Sequence, residues 1–167
     1  MITPSSTIAS IILNAVGPDT PIKVTIAWTD LEGISQPAVV HSLDNLSAPV
    51  LRNNINLTVR KIGSPSITYY PWTPDPGSPW PSTAGTGVNH RDNVEQVLIP
   101  ATAGIVANGQ YEIKIMPQPY GLVGSQWVSV AISGLNLPPG PAEGTVLSSG
   151  FQTFSGTTHL YTLTFKS

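Results

Sequence analysis

Apolar and polar residues alternate in short runs along most of this chain, and turn residues separate the runs. In residues 22–30, IKVTIAWTD, every second side chain from Ile22 to Trp28 is apolar. Residues 54–62 and 110–116 repeat this pattern. Because a period of two places successive side chains on opposite faces of a β-strand, each run is predicted to be a strand with one buried face.

The whole chain follows this pattern, and no window shows the period of a long helix. Seventeen prolines and fifteen glycines interrupt the sequence. Eight or nine short alternating strands favour an all-β sandwich of two antiparallel sheets. The predicted strands cover residues 6–14, 22–30, 54–62, 67–70, 94–99, 110–116, 127–133, 143–147 and 159–165.

Two proline-rich stretches set the predicted boundaries. Prolines in residues 71–88 would remove donors from a central strand, so this stretch is predicted to be a long surface loop. Residues 134–144, GLNLPPGPAEG, are predicted to be a linker or a long turn. The sandwich is therefore assigned to residues 1–135. Residues 136–167 are expected to contain a linker and terminal strands, either within the same domain or at the start of an appended segment.

The charge and hydropathy of the chain predict neither nucleic acid nor a membrane as a partner. Charged residues are 10% of the sequence and the net charge is −2. No basic stripe is present to neutralise phosphates, so nucleic acid is not expected as a partner. No apolar stretch is long enough to cross a bilayer, so a membrane is not expected either. The first ten residues lack signal-peptide features, and the chain is expected to be an excised domain that begins near a strand.

No group of residues predicts catalysis. The chain has three histidines, His41, His90 and His159, and no cysteine. It contains no G-x-S-x-G or other nucleophile motif, and its histidines lack the spacing of zinc ligands. The nine acidic residues leave a glycosidase-like carboxylate pair open, although no pair stands out. We therefore expect a chain that is not an enzyme.

Oxygen-bearing side chains gather at the ends of three predicted strands. Asp30 ends one strand, Asn54 and Asn56 begin a second, and Asp92 and Glu95 begin a third. Calcium takes six to eight ligands of this kind, from carboxylates and amides, so these five residues form a candidate calcium site. The alternative is that each side chain satisfies backbone groups at turns and strand edges. The sequence leaves both interpretations open.

Four aromatic residues lie in or next to the proline-rich loop. Tyr69 and Tyr70 precede it, and Trp72 and Trp80 lie within it. Exposed aromatic rings can stack on sugars, which makes these residues a candidate carbohydrate-binding surface. The alternative is that the rings anchor a long loop onto the sheets.

Five segments, in this order, resemble the β-sandwich domain that follows the catalytic domain in many subtilisin-like serine peptidases. They are VTIAWTDLEG, LRNNINLTV, NHRDNVEQVLIP, NGQYEIKI and GSQWVSVAISG, and the resemblance covers about residues 22–134. That domain is similar in architecture to the P-domain of proprotein convertases. The resemblance therefore implies a jelly-roll β-sandwich.

The resemblance can be followed position by position. Members of the family can hold calcium in this domain through carboxylates, but two of their aspartates are Asn54 and Asn56 here. A third is Asn89, while Asp92 replaces an asparagine. The resemblance thus implies a calcium site of reduced charge. The matching positions are Trp28, Asp30, Leu51, Asn53, Leu57, Asn93, Glu95, Val97, Gly109, Tyr111, Gln126, Ser133 and Gly134.

The catalytic motifs of subtilisin-like peptidases are absent from this chain. The resemblance therefore implies a non-catalytic accessory domain of a secreted peptidase, which stabilises the catalytic domain of the same parent chain or helps to bind a protein substrate. The aromatic residues support an alternative, a carbohydrate- or matrix-binding module with a polysaccharide partner. Asp92, Asn93 and Glu95 are expected to fix the entry from loop to strand, through backbone hydrogen bonds or a bound cation.

Overall fold

A computed structural model describes the structure over most of the strand-forming regions. It describes residues 9–31, 51–73, 84–117, 122–124 and 126–136, together with the backbone of residues 159–165. This part of the chain contains eleven strands and one short 3-10 turn, and it has no helix that is long and apolar enough to cross a membrane. The strands are β1 (Ala9–Ala15), β2 (Ile22–Trp28), β3 (Ile55–Lys61), β4 (Ile67–Tyr69), β5 (Trp72–Thr73), β6 (Gly85–Thr86), β7 (Val94–Ile99), β8 (Gln110–Pro117), β9 (Gln126–Ser133), β10 (Leu135–Asn136) and β11 (His159–Phe165).

These strands form two main antiparallel sheets. Sheet A has the order β10-β1-β8-β3-β4, and sheet B has the order β11-β9-β2-β7. The predicted all-β sandwich of two antiparallel sheets is therefore confirmed. Eight of the nine predicted strands correspond to strands of the structure, and the predicted strand at 143–147 lies outside the described residues.

Two short elements were not predicted from the sequence. The stretch predicted to be only loop contains a ribbon in which β5 pairs with β6, with Trp72 opposite Thr86. β10 pairs with the end of β1, so the predicted linker begins with two strand residues. Each of the three strands β5, β6 and β10 has only two residues, which is too short for alternation to be recognised in the sequence.

The core lies between the sheets and follows the alternation of the sequence. In β2 the side chains of Ile22, Val24, Ile26 and Trp28 are all buried, while Lys23 points outward and is exposed. The central strands β8 and β9 show the same alternation. Burial of such large apolar side chains stabilises the fold by roughly 1.5–3 kcal/mol each.

The outer faces of the two sheets differ in polarity. On sheet A, Arg60 Nη2 lies 2.8 Å from Glu112 Oε2, and Ser10 Oγ donates to Glu112 Oε1 at 2.9 Å. On sheet B, Val94 and Trp127 are exposed, and Trp127 is 64% exposed. Sheet A therefore presents an ion pair together with the exposed Ile12, whereas sheet B presents several large apolar side chains together with Lys23.

Between β9 and β10 the chain passes from sheet B to sheet A at a single glycine. Gly134 lies between β9 and β10, has φ of 80°, and accepts a hydrogen bond from Val16 N at 3.0 Å. A Cβ atom at this position would lie 2.2 Å from Pro21 O. The corner therefore requires glycine both for its left-handed backbone and for the close approach of another segment.

We expect Gly134→Ala to lower the free energy of unfolding by about 2–5 kcal/mol, because it adds a backbone clash to left-handed strain. The matched control is Gly104→Ala, where φ is also positive, at 70°, but no atom lies within 4 Å of the added Cβ. The control should cost only about 1–2 kcal/mol. Urea unfolding of both variants measures the difference, and equal losses would show that the close approach at Gly134 is unimportant.

Candidate metal centre between β3 and β7

Glu95 is a carboxylate in a core-facing position. On β7 it shares the inward face with Val97 and Ile99, and only 1% of the residue is exposed. It pairs with Ile26 of β2, at the edge of sheet B. A buried carboxylate must find hydrogen-bond donors or a compensating charge, since burial without them is costly.

One oxygen of Glu95 completes the edge of the other sheet. The ladder between β3 and β4 runs from Val59 to Lys61, so Leu57 lies beyond the paired stretch. Leu57 N donates to Glu95 Oε2 at 2.6 Å. The carboxylate thus accepts a backbone N–H that a longer β4 would otherwise have bonded, and it joins sheet B to sheet A.

Among the described residues, the other oxygen of Glu95 has no partner, and neither do the side-chain oxygens of Asn54 and Asn56 at the start of β3. Among the described residues no donor bonds Glu95 Oε1, Asn54 Oδ1 or Asn56 Oδ1, although all three atoms are buried. Asn56 lies on β3 and Asn54 directly precedes it, so the two are two residues apart and share one face. Asn56 is followed directly by Leu57, the donor to Glu95. A buried polar atom without a partner costs about 1–3 kcal/mol, so this concentration needs a physical explanation.

The segment before β7 brings a histidine to the same region. Asn54 Nδ2 lies 2.6 Å from His90 Nδ1. Because an amide nitrogen can only donate, Nδ1 is the acceptor, and this bond fixes which end of the Asn54 amide faces His90. The unpaired oxygen of Asn54 is therefore held in place by a hydrogen bond on the other side of the amide.

An asparagine-centred turn holds Asp92. Asn89 is buried; its Oδ1 accepts from Arg91 N at 3.0 Å and from Asp92 N at 3.4 Å, and its Nδ2 donates to Asp92 Oδ2 at 3.1 Å. These bonds are those of an Asx-turn, which fixes the chain before β7. Asn54, Asn56, Asp92 and Glu95 are called the β3–β7 seam below.

The electrostatics of the seam favour a positive partner. Burial raises the pKa of Glu95 from an ordinary 4.5 to about 8, the Leu57 N–H lowers it, and the nearby Asp92 carboxylate raises it further. Two carboxylates thus lie close enough to repel each other. A bound proton or a bound cation would relieve this repulsion.

Calcium fits this set of atoms. Within the described ranges, no three His, Cys, Asp or Glu side chains form a group that could hold a metal, so any site here depends on amide oxygens. Calcium accepts carboxylate and amide oxygens, whereas zinc is bound through nitrogen, sulfur and carboxylate ligands. The three unpaired oxygens are therefore of the right chemical type for calcium, with little negative charge to hold it.

Asp30 has a different environment from the other candidate ligands. Its Oδ1 accepts from Leu31 N and Asn53 N, both at 2.9 Å, and its Oδ2 accepts from Arg52 N at 2.7 Å. The carboxylate therefore fixes the turn that leads into β3. Asn54, Asn56 and Glu95 each have a buried oxygen without a partner among the described residues, and Asp30 does not share that feature. Asn56 lies between the buried Ile55 and Leu57 and is therefore on the opposite face of β3, whereas Glu95 faces the core.

A second buried polar network, not predicted from the sequence, lies at the same end of the sandwich. Asn53 is fully buried; its Nδ2 donates to Gln126 Oε1 at 2.9 Å, and its Oδ1 accepts from Val123 N at 2.8 Å. Gln126 Nε2 donates to the carbonyls of Thr29 and Trp127. Asn53 and Gln126 are 73 residues apart, and no local pattern links them. The sequence marked these two residues in only one way: both belong to the motifs that carry the family resemblance.

The indole of Trp28 and the amide of Asn93 complete this network. Trp28 Nε1 donates to Asn53 O at 3.0 Å, and Asn93 Nδ2 donates to Trp28 O at 2.6 Å. The starts of β3, β7 and β9 are thus all tied to the end of β2. The expectation that Asn93 fixes the entry to β7 through backbone hydrogen bonds agrees with this contact.

The candidate sugar-binding aromatics are only partly gathered by the structure. Tyr69 is half-buried and packs against the core, while Tyr70 is 43% and Trp72 44% exposed. Trp80 lies outside the described residues. The most exposed large apolar side chain of the described part is Trp127, on sheet B, which was not among the candidates.

With divalent cations removed by a chelator, we expect Glu95 to make the protein less stable as pH rises. Its pKa is about 8 in the fold against an ordinary 4.5, so its protonated form is favoured by folding. The free energy of unfolding should therefore be highest below about pH 4.5 and should fall by a few kcal/mol as pH rises to about 8. Glu95→Gln should remove this dependence in urea unfolding between pH 5 and 9.

Glu112→Gln is the control, because the hydrogen bonds of Glu112 to Ser10 and Arg60 lower its pKa. Its contribution has the opposite sign: it is present above the unfolded pKa and is lost as pH falls. Parallel stability profiles for the wild type and Glu95→Gln would contradict the expectation for Glu95.

Comparisons with known proteins give no match. No protein-family model matches the chain, and neither a curated protein nor a solved structure does. A function for this chain is therefore inferred from the contacts of its own residues.

Proposed function

We propose that this chain is a non-catalytic accessory domain of a secreted subtilisin-like serine peptidase, with its sandwich fixed by calcium at the β3–β7 seam. The observation that carries the proposal is the set of three buried oxygens without donors, Glu95 Oε1, Asn54 Oδ1 and Asn56 Oδ1. Together with the resemblance of five ordered motifs, it favours a domain whose polar residues stabilise the fold.

The contacts of the motif residues support a structural role for them. Asp30 accepts three backbone N–H groups, Asn53 bonds Gln126, and Asn93 bonds the carbonyl of Trp28. These side chains are engaged with the protein itself, so they are not available as an acid, a base or a nucleophile toward a substrate. A role in stabilising or docking accounts for them more simply than catalysis.

In the proposed site, Glu95 supplies the buried carboxylate, and Asn54 and Asn56 supply amide oxygens. Asp92, which lies close enough to raise the pKa of Glu95, adds a second negative charge. A calcium ion would supply the positive charge that offsets this repulsion. Because neutral amides stand where the family has carboxylates, we expect weak binding, with Kd on the order of 10⁻⁴–10⁻³ M, as in extracellular modules.

We expect calcium to raise the melting temperature. At calcium ten times above Kd, the gain in the free energy of unfolding should be about 1.4 kcal/mol. Asn56→Ala should abolish most of this gain, because it removes one of the unpaired oxygens. Thr58→Ala, at the next outward position of the same strand, is the matched control and should keep it.

Thermal melts with calcium and with magnesium, together with calorimetric titration, measure the effect. Magnesium demands a tight octahedral geometry and retains its waters, so it should stabilise the protein less. Equal stabilisation by both ions, or the same gain in Asn56→Ala, would contradict a calcium site at the seam.

The accessory role is tested separately, on the parent peptidase. We expect the catalytic domain joined to this chain to melt at a higher temperature than the catalytic domain alone. The measurement is residual peptidase activity after heating. A chain that binds calcium yet leaves the catalytic domain unchanged in stability and substrate affinity would rule out the accessory role and leave the calcium site intact.

A carbohydrate- or matrix-binding module is the second candidate, because Tyr70 and Trp72 are exposed near each other in sequence. Tryptophan fluorescence during titration with polysaccharides distinguishes it from the first. Fluorescence that does not change with any polysaccharide would remove this alternative.

A further inference from the structure

Sheet B ends on one side in a seven-residue strand, β11, whose outer edge pairs with no other described strand. β11 pairs with β9 over its full length, from His159 opposite Ile132 to Phe165 opposite Gln126. No other described strand lies on the far side of β11. Because backbone groups of an antiparallel strand alternate between its two sides, about half of the β11 residues direct N–H and C=O away from β9. Such a row of unpaired groups is a template for another strand.

The other sheet edges of the described part are shorter. β10 has two residues and β4 has three, with Pro65 shortly before β4. β7, at the opposite edge of sheet B, lies against β3, and its Glu95 bonds Leu57 N. Among the described strands, β11 therefore has the longest edge without a partner strand, and the next are β7 and residues 9–13 of β1.

The sequence of β11 contains none of the features that usually protect an edge. HLYTLTF has no Lys, Arg, Asp, Glu, Pro or Gly. Natural edge strands commonly carry charges or proline, which oppose pairing with another chain. The net charge of −2 for the whole chain adds little repulsion between two copies.

The surface next to β11 is also favourable for association. Trp127, on β9, pairs with Thr164 of β11 and is 64% exposed. Val94 and Leu98, also exposed, lie on the outer face of the same sheet. The described strands of this face carry one charged side chain, the exposed Lys23 on β2, and no ion pair like that of sheet A, so little charge opposes a second copy beside β11.

We propose that β11 pairs antiparallel with β11 of a second copy of this chain. The two sheets B then form one continuous sheet of eight strands, four from each copy, about a two-fold axis at Thr162, the middle residue of β11. An antiparallel strand is complementary to its own copy, and no like charges meet across this axis. The proposal depends on neither calcium binding nor the peptidase.

Sedimentation velocity of the whole chain across a wide range of concentration tests the proposal. The wild type should form a dimer whose population rises with concentration. Thr162→Lys places two ammonium groups opposite each other at the axis, and it should lower the association constant on the order of tenfold. Ser129→Lys is the matched control: it adds the same charge one strand further in, at the position paired with Thr162, and should keep the dimer.

Hydrogen exchange provides a second measurement that needs no variant. In the dimer, the outward amides of β11 should become protected as concentration rises, while the amides of β10 should not change. A wild type that stays monomeric, without such protection, would overturn the proposal. A dimer broken by Ser129→Lys but kept in Thr162→Lys would also overturn it, because that result indicates packing through the sheet face. Circular dichroism confirms that both variants are folded.

Discussion

The hydrogen bond from Leu57 N to Glu95 Oε2 is the contact on which the arrangement of this sandwich depends. β4 is too short to pair with the first half of β3, and the carboxylate of β7 takes the place of the missing strand. A side chain can do this only from a core-facing position, so the charge has to be buried. The raised pKa of Glu95 follows from that requirement.

The polar residues at this end of the sandwich share one task. The end of β2 and the starts of β3, β7 and β9 all lie here, and each carries a side chain that bonds the backbone of another segment. Trp28 bonds the carbonyl of Asn53, Asn93 bonds that of Trp28, and Gln126 bonds that of Thr29. Side-chain-to-backbone bonds thus replace the tight turns that would join neighbouring strands directly. A chain with so few charged residues relies on amides for this purpose.

Local periodicity is the reason that the fold could be predicted and part of the site could not. Alternation in β2, β3 and β8 identified the strands and their buried faces, because a period of two is a property of neighbouring residues. The pairing of Asn53 with Gln126 depends on tertiary packing across 73 residues, and no local pattern encodes it. The oxygens of Asn54, Asn56 and Glu95 could be identified as candidate ligands. The carboxylate of Asp30 instead accepts hydrogen bonds from the backbone N–H groups of Leu31, Arg52 and Asn53. These bonds could not be predicted from the sequence because they depend on the path of a turn.

The two sides of the sandwich are closed in different ways. At Gly134 the backbone itself crosses from sheet B to sheet A and passes close to Pro21. On the opposite side, residues 100–109 link the end of β7 to β8, but at the start of β7 the two sheets are joined by the carboxylate of Glu95. Covalent continuity resists separation far more strongly than one hydrogen bond does. Breathing motions of this domain should therefore pivot about the Gly134 corner and widen toward β7, so that water first enters the core beside Glu95.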